Sequence, residues 1–95
     1  MQPCVLIPAY RPDDKLVALV RDLRAAGLER IVVVDDGGEG RSAALFAEVR
    51  KLNVPVVKHV VNLGKGRALK SGLNYILEHG LGDDGVITAD ADGQH

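Results

Sequence analysis

The 95-residue chain has one cysteine, Cys4, no tryptophan, one phenylalanine and two tyrosines. A lone cysteine cannot form an internal disulfide, so a reducing compartment is the default and we expect a cytoplasmic protein. So few aromatic residues argue against a stacking platform for single-stranded nucleic acid. The formal net charge of -1 likewise gives no electrostatic reason to expect a nucleic-acid partner.

Long apolar runs are also absent. No stretch approaches the ~20 apolar residues of a membrane span, and the first residues lack the basic and apolar regions of a signal peptide. We therefore expect no membrane segment in this chain. A length of 95 residues with 46% hydrophobic residues fits a single small globular domain, residues 1–95.

Short β-branched runs alternate with longer amphipathic segments, which is typical of βαβ units. The predicted strands are Cys4–Ile7, closed by Pro8, then Ile31–Val34, Val56–Val61 and Gly85–Ala89. The predicted helices run from Pro12 to Gly27, from Ser42 to about Leu52, and from Gly66 or Arg67 to Gly80. Mostly parallel strands joined by right-handed crossovers give an α/β, three-layer, Rossmann-like fold with helices on both faces.

A group of residues that includes polar, proline or glycine residues, rather than another apolar run, follows each of the predicted strands. These four groups are 8–10, 35–37, 62–66 and 90–92. Ligands of parallel sheets bind beyond the carboxyl ends of the strands. The sequence therefore predicts one binding site at the edge of the sheet where these carboxyl ends meet, called the rim below.

The last of these groups contains two carboxylates, Asp90 and Asp92, just after the fourth strand. At this spacing they can converge on one hard cation. Mg²⁺ and Mn²⁺ prefer oxygen ligands and take much of their shell from water and substrate phosphates. Gln94 is placed to add another oxygen. A solvated acidic turn is the alternative reading of these residues alone.

The groups after the second and third strands suit a nucleotide. Asp35 or Asp36 can accept a hydrogen bond from a base or a ribose, and Gly37 permits a sharp turn, although ordinary turn chemistry is the alternative. Gly64 and Lys65 precede a helix, where N–H groups and cations collect anions. A cation there opposes the helix dipole, which makes a purely structural role less attractive.

Taken together, four segments resemble the family 2 glycosyltransferases. They are Val5–Tyr10, Val32–Gly37, Asn62–Leu69 and Thr88–His95. Each alone is weak, but all four occur in the family's order across the whole chain. The resemblance implies a GT-A half domain with strand order 3-2-1-4. It also implies an inverting transfer from a UDP- or GDP-linked sugar to an acceptor hydroxyl or a lipid phosphate, with polyprenyl-phosphate sugar transferases as the first subgroup to consider.

The resemblance assigns nucleoside contacts residue by residue. Pro8, Ala9 and Tyr10 would line the nucleoside pocket, and Asp35 (or Asp36) would bind the base. This side of the site is thereby assigned to the ends of the first two strands.

The phosphate side follows in the same way. The loop at Gly64 and Lys65 would close over the nucleotide. Asp90 would contact the ribose or the metal, and Asp92 would ligate Mg²⁺ or Mn²⁺ with help from Gln94. The resemblance thus assigns nucleotide contact to the loop before the third helix and metal binding to the residues after the fourth strand.

The chain departs from the family pattern in three ways. Arg11 replaces the usual Asn and Gly38 the usual Ser, which leaves the detail of the nucleoside pocket open. In the family, the general base belongs to the second half of the catalytic domain, and no candidate for it follows Asp92 in this chain. We therefore expect a truncated donor-binding domain that contains no catalytic residue and does not transfer sugar alone.

Two further expectations concern partners. The fourth strand would normally pair with a strand from the second half, and a bare edge recruits partners, so we expect self-association through it. The competing hypothesis is a non-catalytic nucleotide- or phosphate-binding α/β module. That module would use Asp35 and the Lys65 loop but would not need Asp92.

Overall fold

The computed structural model of the chain describes residues 2–37 and 41–91. Its elements are β1 (Cys4–Ala9), α1 (Lys15–Ala25), β2 (Ile31–Asp36), α2 (Arg41–Lys51), β3 (Val56–His59), α3 (Lys65–Glu78) and β4 (Val86–Thr88). The strands form one parallel sheet in the order β3-β2-β1-β4. The predicted α/β fold and strand order are confirmed. No helix within the described ranges is long and apolar enough to cross a membrane.

Helices cover both faces of the sheet, so the central strands are apolar on both sides. Successive side chains of a strand point to opposite faces, and they divide between two cores. The core under α1 and α2 contains Val5, Ile7, Val33, Leu16, Val20, Phe46 and Val49. The core under α3 contains Leu6, Val32, Val34, Ala68 and Ile76. The predicted three-layer arrangement is therefore confirmed.

The first strand does not stop before Pro8, as the sequence suggested, but continues to Ala9. Proline lacks an N–H group and normally disrupts a central strand. The pairing of β1 with β4 ends at Leu6, whereas its pairing with β2 continues through Pro8 and Ala9. Pro8 thus lies where β1 has a partner strand on one side.

Other boundaries also differ from the prediction. β2 includes Asp35 and Asp36, because its pairing with β1 continues through Asp35 and its pairing with β3 through Asp36. β3 ends at His59 rather than Val61, since β2 offers it no partner beyond Asp36. The differences at the remaining ends are small: α1 begins at Lys15, α3 at Lys65, and β4 spans Val86–Thr88.

The edge strand β4 is short and carries an exposed apolar residue. Ile87 pairs in register with Val5, yet 51% of its surface remains accessible. Val86 by contrast packs against the core under α3. One face of β4 is therefore covered, and the other presents an apolar side chain to solvent.

Candidate functional site

A cavity of about 230 Å³ opens at the carboxyl ends of the strands. It is lined by Pro8, Ala9, Tyr10, Asp36, Asn62, Gly64, Lys65, Ala68 and Asp90. All but Asn62 and Ala68 belong to the nucleotide-sugar-binding set predicted from the sequence. Segments distant in the chain meet there because the crossovers bring the carboxyl ends of all four strands to one rim.

The Asp36 carboxylate organises one wall of this cavity. Asp36 is only 3% exposed. Its Oδ1 accepts a hydrogen bond from the backbone N–H of Leu63 at 3.0 Å, and its Oδ2 accepts one from the N–H of Gly64 at 3.1 Å. Asp36 thereby fixes the loop of residues 62–64, called the 62–64 loop below, against the end of β2.

Burial and hydrogen bonding oppose each other at Asp36. Desolvation raises the pKa of this carboxyl, but hydrogen bonds from His59, Leu63 and Gly64, together with the His59 charge, outweigh it. The net result is a pKa below the ordinary value. Each of these donors interacts best with the charged carboxylate. Asp36 is therefore a buried anion whose charge is stabilised by groups of the protein itself.

His59 connects this carboxylate to α3. Its Nδ1 lies 2.8 Å from Asp36 Oδ1, and its Nε2 lies 2.7 Å from the Ser71 hydroxyl oxygen. An ionised carboxylate can only accept, so Nδ1 carries the hydrogen. The sequence placed His59 in a strand, which is confirmed, but gave it no further role. The alternation along β3 was an available signal, because it puts His59 on the same side as the inward-facing Val57.

Gly37 does not line the cavity but makes its shape possible. Its φ of 82° lies in the left-handed region. A Cβ at this position would overlap the backbone of Val61 and Asn62. The turn after β2 therefore runs directly against the segment after β3, at a distance that only glycine allows.

Asp35 occupies a different place from its neighbour. It is buried at the end of β2, in register with Ala9 and Lys58, and has a polar interaction of its own. Adjacent residues of a strand point to opposite faces. Asp36 therefore shares the α3 side with Val34, whereas Asp35 lies on the other side and does not line the cavity.

The predicted metal motif is described only in part. Asp90 is exposed at the cavity mouth, and the next residue, Ala91, is anchored in the core under α1 and α2. Asp92 and Gln94 lie outside the described residues. Within residues 2–37 and 41–91, no group of three or more His, Cys, Asp or Glu residues is arranged to hold a metal ion. The carboxylate of Asp90 is nevertheless chemically suited to Mg²⁺ or Mn²⁺.

The rest of the cavity rim combines a cation and an aromatic ring. Lys65 begins α3 and lines the cavity. Tyr10 is 44% exposed, and the Arg11 guanidinium lies 5.2 Å from the centre of its ring. Lys65, Asp90 and Tyr10 line the cavity and are exposed to solvent, so a ligand in the cavity can contact them.

Comparisons with known proteins place this arrangement in context. Residues 4–95 match the model of the family described as glycosyl transferase family 2. The chain is 34% identical over 91 residues to an uncharacterized protein of Methanocaldococcus jannaschii, covering 96% of the chain and 35% of that relative. No solved structure matches the chain significantly.

Two similar relatives carry functional names. One is the UDP-N-acetylglucosamine–dolichyl-phosphate N-acetylglucosaminyltransferase of Methanococcus voltae, 30% identical over 105 residues, which cover 96% of the chain and 41% of that protein. The other is the undecaprenyl-phosphate 4-deoxy-4-formamido-L-arabinose transferase of Pseudomonas aeruginosa, 37% identical over 99 residues, with 96% and 28% covered. The chain thus spans well under half the length of the relatives named here.

Proposed function

This chain belongs to glycosyl transferase family 2, and we propose that it binds the nucleotide diphosphate sugar donor of an inverting sugar transfer. The observation that supports this most directly is the cavity at the sheet rim. It gathers residues of the family-like segments at the carboxyl ends of β1, β2, β3 and β4 into one wall. Parallel α/β sheets bind ligands at this rim.

Each part of the rim has a role in this proposal. Tyr10 and its neighbours Pro8 and Ala9 lie against the nucleoside. Lys65, at the start of α3, faces the diphosphate, where cations and helix N–H groups favour an anion. Asp36 acts indirectly, because its carboxylate holds the 62–64 loop.

We also propose that Asp90, Asp92 and Gln94 hold Mg²⁺ or Mn²⁺ for the donor diphosphate. Oxygen ligands suit either ion. Held by these residues, either ion would supply positive charge that stabilises the leaving diphosphate. This chain's contribution is to orient the donor, so that its sugar–phosphate bond is exposed to the acceptor.

For the acceptor we propose a polyprenyl phosphate, because the two relatives described above are named as a dolichyl-phosphate and an undecaprenyl-phosphate transferase. A phosphate oxygen of the lipid would form the new bond to the anomeric carbon, and the bond to the nucleotide diphosphate would break. Asp36 is committed to internal donors. We therefore propose that the acceptor-activating groups lie outside residues 1–95.

Metal-dependent donor binding is the first prediction. UDP, GDP and one sugar conjugate of each are titrated into the chain by calorimetry with Mn²⁺. One nucleotide is expected to bind. EDTA removes the metal and Asp92→Ala removes one of its ligands, so each should weaken that binding by at least roughly the 10–100-fold that is typical when a group supporting a metal ligand is mutated. Asp83→Ala, an exposed acid in the turn before β4, is the matched control and should bind normally.

The same titration separates the alternatives. Binding that is indifferent to both EDTA and Asp92→Ala would contradict the metal proposal and favour a non-catalytic nucleotide-binding module. Sugar transfer to a polyprenyl phosphate by this chain alone would contradict the proposal that the acceptor-activating groups lie elsewhere.

Self-association through β4 is the second prediction, and it rests on the exposed Ile87. Light scattering should show a molar mass that rises with concentration from 10.1 kDa toward a dimer. Ile87→Lys places a charge on the strand and should keep the chain monomeric. Val60→Lys, at a residue that is 92% exposed after β3, should leave association intact. A monomer mass at all concentrations would refute this proposal.

A further inference from the structure

Of the histidines in the described ranges, only His59 is buried, and donor binding as proposed gives it no direct task. We infer that His59 is a positioning residue: it holds the Asp36 carboxylate in the orientation that fixes the 62–64 loop at the mouth of the cavity. The identity of the ligand rests on the proposed function. The positioning itself rests on the geometry of the polar network.

The imidazole is held from both sides. Nδ1 donates to Asp36 Oδ1 at 2.8 Å, and Nε2 is 2.7 Å from the Ser71 hydroxyl oxygen. These contacts join the end of β3 to the end of β2 and to the second turn of α3. With both ring nitrogens engaged, neither rotation nor a ring flip preserves the network. The contact with Ser71 therefore holds the His59 ring in one orientation, and in that orientation its Nδ1–H donates to Asp36.

Asp36, held by His59, in turn fixes the position of the 62–64 loop. Its Oδ1 is shared between His59 and the N–H of Leu63, and its Oδ2 accepts from Gly64. The Gly64 N–H also lies 3.1 Å from Asn62 Oδ1. Without His59 the buried carboxylate loses a side-chain donor. A carboxylate that then rotates or takes up a proton can no longer accept from both backbone groups.

The loop is part of the binding wall. Asn62 and Gly64 line the cavity, and Lys65 follows directly at the start of α3. A loop that leaves Asp36 moves these groups away from a bound nucleotide. The expected consequence of losing His59 is weaker donor binding, although His59 does not line the cavity.

Two conservative substitutions separate the ends of the network. The side-chain amide of His59→Asn occupies the position of Nδ1, so it can donate to Asp36 but does not reach Ser71. The amide of His59→Gln reaches toward Ser71 and leaves Asp36 without this donor. Calorimetric affinity for the nucleotide that binds the native chain should stay within about threefold for Asn and fall about tenfold or more for Gln, since a bond to a charged acceptor is lost.

The matched controls are at His79 and Ser71. His79→Gln makes the same change at an exposed histidine at the end of α3, and it should retain native affinity. Ser71→Ala keeps the donor to Asp36 but frees the other side of the ring. This is the same loss as in His59→Asn, so its affinity should be similar to that of His59→Asn. It also provides a second variant if His59→Gln folds poorly.

Amide hydrogen exchange tests the positioning independently of any ligand. In His59→Gln, exchange at the Leu63 and Gly64 amides should accelerate about tenfold or more, because their acceptor is displaced. The Val33 amide, which donates to the Pro55 carbonyl inside the sheet, should be unaffected. Equal acceleration at Val33 would mean general destabilisation and would overturn the inference.

The two measurements also separate this inference from the proposed function. If the native chain binds no nucleotide, the proposed function fails. Faster amide exchange in His59→Gln that is confined to Leu63 and Gly64 then still supports the positioning role. Exchange that is equally accelerated at Val33 overturns it. If nucleotide binds natively but the Asn and Gln variants behave alike in both measurements, His59 does not position Asp36.

Discussion

Gly37→Ala should lower the free energy of unfolding by about 3 kcal/mol, combining left-handed strain with overpacking. The φ of Gly37 is 82°, a region in which an L side chain is strained. The added Cβ would also overlap the backbone of Val61 and Asn62. Backbone cannot move aside as a flexible side chain can. The turn after β2 and the segment after β3 must therefore separate, which opens the cavity wall.

Gly27→Ala is the matched control for this substitution. Gly27 also has a positive φ, 91°, but a Cβ there would have no neighbour within 4 Å. Its cost is therefore strain alone, about 1–2 kcal/mol. Urea denaturation followed by circular dichroism gives both values. If Gly37→Ala cost no more than Gly27→Ala, the close approach of the two segments would not contribute to stability.

The sequence predicted much of the fold, because its signals are local. The apolar run of β2 and the helical spacing of Leu16 and Val20 identify their elements without any tertiary information. Strand order came from the resemblance and is confirmed by the sheet. Strand ends were less predictable, because partner strands decide them. Pro8 continues β1 where β4 no longer pairs, and Val61 falls outside β3 where β2 has ended.

The sequence predicted which residues lie together at the rim, but not the hydrogen bonds between their side chains. Motifs placed Tyr10, Lys65 and Asp90 at one rim, and they line one cavity. Sequence alone could not choose between Asp35 and Asp36, since the choice depends on which face of β2 each occupies. Nor could it pair Asp36 with His59, because that contact joins two strands through side chains distant in the sequence.

Asp36→Asn should destabilise the chain by about 3 kcal/mol near neutral pH, since it breaks a buried, charge-assisted network. An amide offers one acceptor oxygen where the carboxylate offers two. Its NH₂ group would face the N–H of Leu63 or Gly64, or the donating Nδ1 of His59. Asp83→Asn, at an exposed acid, is the matched control and should change stability little.

Acid should erase the difference between the native chain and Asp36→Asn. The folded-state pKa of Asp36 is lowered from its ordinary value of 3.8. Stability from this carboxylate is therefore fully present above the unfolded-state pKa and is lost as the pH falls through the folded-state pKa. Other acids titrate in both proteins, so the difference between their urea midpoints isolates Asp36. That difference should shrink below about pH 4. A difference that stayed constant into strong acid would mean that the Asp36 charge does not stabilise the 62–64 loop.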